Sequence, residues 1–92
     1  MRIKKEILFD YSKKSKKFFV KHIDIRDTFE LNIISYINEG KQNIDIKNLN
    51  GNNFYYRMRI GKYRIIYMII NQEVVIINVI NAGSRGDIYK KI

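Results

Sequence analysis

Three arginines fall within the stretch FYYRMRIGKYR at positions 54–64, and their spacing is that of a β-strand followed by a tight turn. Alternation places Phe54, Tyr56, Met58 and Ile60 on one face and Tyr55, Arg57 and Arg59 on the other. If Gly61 and Lys62 make a two-residue turn with glycine in the first central position, Ile60 pairs with Tyr63 and Arg59 stands directly opposite Arg64. Like charges facing each other across a ladder destabilise it, and nothing in a sheet requires them. The arrangement suits an anion held between guanidiniums, and a phosphate diester matches their planar donor fork. The competing use is structural: arginines that splay into solvent or pair with carboxylates of a partner chain.

The elements that must carry these residues are readable around them. IKKEILF, near the N-terminus, has the composition of a short strand. Ser12 is an N-cap for a first helix through KKSKKFFVKH, in which Phe18, Phe19 and Val20 are the apolar contacts and Lys13, Lys14, Lys16, Lys17 and Lys21 form a basic face. Asp24, with Asp27 after it, is expected to cap a second helix whose buried stripe is Ile25, Phe29, Ile33 and Tyr36 or Ile37, ended by Gly40. His22, at the junction, is expected to cap or pack. KQNIDIKNLNGNN reads as a loop, with Gly51 as punctuation.

Three strands then follow: FYYRMRI, YRIIYMII and VVIINVIN. A three-residue turn through Glu73 buries Val75, Ile77 and Val79 and turns Asn78 outward. Ile66, Met68 and Ile70 share the arginine face, so part of it is apolar and is expected to be covered by a partner segment or the C-terminal tail. Gly83 and Gly86 are read as punctuation after the last strand. The expected fold is one α+β domain over residues 1–92: an N-terminal strand, a two-helix hairpin and a three-stranded antiparallel meander, with the helices on one face of a single twisted sheet.

Composition narrows the partners. The chain has 92 residues, a formal net charge of +9 and a sequence pI near 9.9, which point to nucleic acid, an anionic membrane or an acidic protein. With no cysteine and only His22 as histidine, disulfides, thiolate zinc sites and a histidine metal cage are excluded, and no metal or other cofactor is expected. No window approaches a membrane span and no signal-peptide run precedes the first strand, so the expected location is the cytoplasm, away from membranes.

The order of elements, with KNLNGNNFYYRMRIGKYRIIYMI and the closing INAGSRGDIY, resembles the RelE/ParE superfamily of bacterial toxins from type II toxin–antitoxin modules. The resemblance spans essentially the whole chain. Its most specific parts are the Leu-x-Gly turn at Leu49 to Gly51, the basic strand, GKYRIIY, and a Gly-x-Arg followed shortly by tyrosine.

On the RelE-like branch the resemblance implies a ribosome-dependent endoribonuclease that cuts mRNA without a metal, its cleft built from Arg57, Arg59, Arg64, Arg85 and Tyr89. RelE itself has lysines where this chain has Arg57 and Arg59. Arginine effectively cannot give up its proton, so Tyr89 becomes the expected base for 2′-hydroxyl attack, its phenol drawn toward phenolate by neighbouring guanidiniums. Lys47, Lys62 and Lys90, with the first helix's lysines, are the candidate contacts to ribosomal RNA. A cognate antitoxin, the ribosome and mRNA are the implied partners. Two other readings stand beside this one: a ParE-like inhibitor of DNA gyrase, and a non-catalytic basic RNA-binding module.

Overall fold

The computed structural model describes residues 4–49 and 54–84. Within them the chain forms β1 (Ile7–Tyr11), α1 (Lys13–Lys21), α2 (Ile23–Glu39), β2 (Ile46–Asn48), β3 (Tyr56–Ile60), β4 (Tyr63–Asn71) and β5 (Val75–Ser84). The strands form one sheet in the order β1-β5-β4-β3-β2. The expected antiparallel meander is present as β3, β4 and β5, but it is flanked on both sides. β2 adds antiparallel to β3, and β1 adds parallel to β5, so the sheet is mixed and five-stranded. The stretch expected to be loop therefore holds a strand. At three residues between asparagine-rich flanks, β2 is too short to show a strand period. The first strand also begins later than expected, at Ile7.

Ser12 caps α1 as expected, its hydroxyl accepting from the Ser15 backbone N–H at 3.1 Å. Val20, expected to be buried, is 75% exposed: Phe19 lies in the core, and Val20, next along the helix, points away. The N-cap of α2 is His22 and not Asp24, which falls in the first turn, where a carboxylate is favourable beside the helix N-terminus. One residue thus closes α1 and opens α2. Its imidazole stacks on Phe18 (centroids 4.3 Å apart) and lies 4.8 Å from Tyr63, so His22 is a packing residue. Gly40 ends α2 in the left-handed conformation (φ 67°), which costs glycine little.

Both helices pack on one face of the sheet. Phe19, Phe29 and Ile33 meet Met58, Ile65, Tyr67, Val75, Ile77, Val79 and Ala82 in one core. Phe29 lies at its centre, with Phe9, Phe19 and Tyr67 within 6.4 Å of it, centroid to centroid. Phe54, expected on this face, is 65% exposed and precedes β3; Tyr56 is the first aromatic of the strand to reach the core, where it stacks on Tyr67.

The turn after β4 spans Gln72–Val74, one residue beyond the expected position. The parity is the same, so Val75, Ile77 and Val79 are buried and Asn78 faces away. β5 then carries a bulge. Tyr67 pairs with Val79 and Ile66 with Asn81, leaving Ile80 as an extra residue. Its exposed backbone groups are used by α1. The Ser12 hydroxyl donates to the Ile80 carbonyl at 2.6 Å, the Ser12 N–H donates to the Val79 carbonyl at 2.9 Å, and the fully buried Ser15 hydroxyl donates to the Ser12 carbonyl at 2.9 Å. Gly83 lies inside β5, not after it. No helix among the described residues is long and apolar enough to cross a membrane.

Two phenols are held neutral by the fold. Burial pushes the Tyr67 hydroxyl well above its usual range, and burial together with its hydrogen bond to the Glu30 carboxylate does the same for Tyr11. A raised folded-state pKa means stability that is complete below the unfolded value near 10 and is lost as pH rises beyond it. Chemical denaturation should therefore give a plateau below about pH 9 and a fall above about pH 10. The Tyr67 hydroxyl has no hydrogen-bond partner among the described residues. Tyr67→Phe should flatten the alkaline fall and raise neutral-pH stability by about 1 kcal/mol. Ser12→Ala, which removes a cap and a bulge contact together, should cost about 1–2 kcal/mol in the same assay.

Candidate anion-binding face

The sheet face opposite the helices carries the arginines, and the β3–β4 hairpin sets their positions. Gly61, at φ 58°, takes the backbone conformation that the turn needs, and the ladder closes with Ile60 on Tyr63 and Arg59 on Arg64, as strand parity predicts. Tyr63 fastens this hairpin to the helices by packing against Phe18 and His22, with the Lys62 ammonium 5.4 Å from its ring centre on the outer side. The arginine pair is thus carried on a turn anchored at its base.

Two cross-strand rows result. One runs from Lys47 on β2 through Arg57 and Ile66 to Asn81, and the other passes through Arg59 and Arg64 to Gly83. Asp45 extends the second row on its far side, since the Arg59 N–H donates to the Asp45 carbonyl at 3.0 Å. Its carboxylate is shared: Oδ1 accepts from Arg57 Nη2 at 2.6 Å and Oδ2 pairs with Arg59 Nε at 3.0 Å. Arg57 is the more enclosed arginine, its side chain 14% exposed against 51% for Arg59, and its Nε is buried with no partner among the described residues. Arg64 donates from Nη1 to the Lys62 carbonyl at 3.4 Å, which bends it back along the turn.

The bulge in β5 completes the face. Without the extra residue at Ile80, alternation would turn Asn81 and Gly83 toward the helices; with it, they join the arginine side and Ala82 enters the core. Gly83 is therefore the neighbour of Arg64, and a Cβ built there would meet nothing within 4 Å. Where a side chain is missing, a ligand can approach the backbone closely. Ile66 on the same face is fully buried, whereas Met68 and Ile70 are half-buried.

Of the sequence-derived site residues, the structure brings Arg57, Arg59 and Arg64 together, with Lys47 opposite Arg57 and Lys62 in the adjoining turn. Arg85, Tyr89 and Lys90 lie outside the described residues, as do Gly51 and Gly86. Sequence reasoning misses Asp45. The signal for it is the alternation Ile44-Asp45-Ile46-Lys47, in which both isoleucines pack against the core while Asp45 and Lys47 are exposed. His22 takes no part in this face, since its ring packs with Phe18 and Tyr63 at the helix junction.

The face is a cluster of four permanent or near-permanent cations, Lys47, Arg57, Arg59 and Arg64, partly neutralised by one carboxylate. Such a cluster can bind a phosphodiester through charge-assisted, forked hydrogen bonds.

No family model matches the sequence, and neither does any curated protein. Among solved structures, the chain is similar to one chain of the RelB–RelE antitoxin–toxin complex from Methanococcus jannaschii. The two share 30% identity at a TM-score of 0.53, over 83% of this chain and 89% of that one.

If the face holds single-stranded RNA by its phosphates, Arg59→Ala and Arg64→Ala should each weaken binding of an oligonucleotide and lower the steepness of its salt dependence by about 0.7 for each phosphate no longer paired. Fluorescence anisotropy titrations at several salt concentrations measure both quantities.

Proposed function

We propose, from the premise that this chain belongs to the RelB–RelE toxin–antitoxin family, that it is the toxin of its pair: a ribosome-dependent endoribonuclease that cuts mRNA and so stops translation. The observation that carries this reading is the convergence of Arg57, Arg59 and Arg64 on one sheet face, with Arg59 and Arg64 in direct cross-strand register. One carboxylate, Asp45, only partly neutralises these cations, and a phosphodiester would offset the rest.

In the proposed reaction the 2′-oxygen attacks the adjacent phosphorus, its proton passes to the Tyr89 phenolate, and the bond from phosphorus to the 5′-oxygen breaks, leaving a 2′,3′-cyclic phosphate. The pentacoordinate phosphorus carries extra negative charge. Arg57 and Arg64 offset that charge, and Arg59 or Arg85 supports the departing 5′-oxygen, which takes a proton from water to leave as a hydroxyl. Fixed cations aimed at a developing charge are effective because they need no reorganisation during the step. A site with no histidine on this face draws much of its rate from alignment of the mRNA, which the ribosome provides. Lys47, Lys62, Lys90 and the lysines of α1 pair with ribosomal RNA phosphates. The cognate antitoxin, the protein partner that the family implies, holds the toxin inactive in the cytoplasm.

The test is to add the purified chain to a programmed ribosome and map mRNA ends, with a control lacking ribosomes. Ribosome-dependent cuts that disappear in Arg64→Ala and slow by roughly 10²–10⁴ in Tyr89→Phe, with ribosome binding retained, are the expected result. Intact mRNA with DNA-damage signalling in cells making the chain would replace this reading with gyrase inhibition. RNA binding without cut products would reduce it to a binding module.

A further inference from the structure

Asp45 sits among the arginines at the start of a short edge strand. Its main chain is tied to β3 through the Arg59 N–H, and the next residue, Ile46, pairs with Met58. Its two carboxylate oxygens are divided between two guanidiniums, 2.6 Å from Arg57 Nη2 and 3.0 Å from Arg59 Nε. The Arg57 contact is a hydrogen bond and the Arg59 contact an ion pair, so both guanidiniums keep most of their five N–H groups.

We propose that Asp45 is a positioning residue: it locks Arg57 and Arg59 into one preformed pair whose remaining donors are turned to the scissile phosphate. This rests on the cleavage reading given above. Three observations support it over an ordinary surface ion pair. The contact joins two functional arginines through one anion, and in both cases the acceptor is a separate oxygen of the same group. Arg57 is largely enclosed, so its charge has a specific partner where solvent cannot serve as one. Each member of the pair has a cation directly across from it, Lys47 opposite Arg57 and Arg64 opposite Arg59, so without Asp45 four like charges would adjoin and the side chains would spread apart. Holding long, rotamer-rich side chains in place before the substrate arrives removes an ordering cost from the reaction itself.

The rival use of the same geometry is a placeholder, a carboxylate that stands in for phosphate oxygens and must leave when RNA binds. Asp45 is badly built for that role. It has a single methylene, and its main chain is anchored to the ladder on which Arg59 sits, so its carboxylate stays beside the pair it bridges.

The two roles predict opposite results for Asp45→Asn, which keeps shape and removes charge. On the positioning reading, cleavage on programmed ribosomes falls by about ten-fold or more, as misalignment by a fraction of an ångström does. Binding of a single-stranded RNA oligonucleotide is at the same time unchanged or tighter, because the face has gained net positive charge. Asp45→Glu, which restores the charge with a longer reach, recovers part of the rate. Cleavage at or above the wild-type rate in Asp45→Asn would overturn the proposal in favour of a placeholder. Parallel loss of cleavage, RNA binding and thermal stability would overturn it in favour of a merely structural role.

A separate readout on the wild-type protein needs neither catalysis nor a folded variant. The Arg57 Nη2 protons, hydrogen-bonded to Asp45 Oδ1 from a largely enclosed side chain, should give an NMR resonance protected from exchange with water. Its absence in the wild type would also overturn the proposal. If the wild type makes no cut at all, the cleavage reading fails by itself, while the resonance and oligonucleotide arms still report on Asp45.

Discussion

A two-residue turn leaves a hairpin no freedom of register. With Gly61 in the left-handed region, Ile60 is committed to Tyr63, and everything outward of that pair follows: Arg59 must face Arg64, and Arg57 must face Ile66. A slip of one residue would send the arginines into the core and Met58 into solvent, at a cost no sheet this small could bear. The same constraint that secures the core therefore forces two guanidiniums together. The repulsion is a consequence of register and is offset locally, by Asp45 on one side and by the turn carbonyl that Arg64 reaches on the other.

A second constraint acts at the opposite end of the face. The extra residue in β5 reverses the parity of that strand's last four positions, 81–84, and so selects which of them faces the arginines. A bulge leaves ladder groups unpaired, and buried backbone groups without partners are expensive. Here the start of α1 supplies those partners, Ser12 bonding both the Val79 and Ile80 carbonyls while it caps its own helix. Helix, bulge and anion face are thus mechanically connected. The hydroxyl that starts α1 also fixes the point at which β5 brings Gly83 beside Arg64.

The core stripes of β3 to β5, the Ser12 and Gly40 helix ends and the arginine register are legible in the sequence because each depends on local periodicity or on a residue with one conformational use. What is not legible depends on partners distant in sequence. Nothing local in β1 says that it will run parallel to β5, and nothing in VVIINVIN marks the bulge, since an unbroken apolar run hides a change of parity. Asparagines on either side hide β2, and Asp45 is hidden with it, because an ion pair across a ladder is visible only once the ladder is known. Alternation misplaces Phe54 because the period runs on past the point where β3 begins.

The three arginines described on the anion face, Arg57, Arg59 and Arg64, are permanent charges, built for attraction and unsuited to proton exchange. The two phenols that the fold raises, Tyr11 and Tyr67, belong to the helix side of the sheet and are held protonated by burial. The division of labour follows from this. On the proposed cleavage reading, the sheet supplies fixed positive charge in a fixed register, and the proton acceptor comes from a different segment, close enough to the guanidiniums for their field to favour its ionised form. A phenol suits that position better than a carboxylate would. Beside the arginines either group is held ionised, and the phenolate is the stronger base of the two.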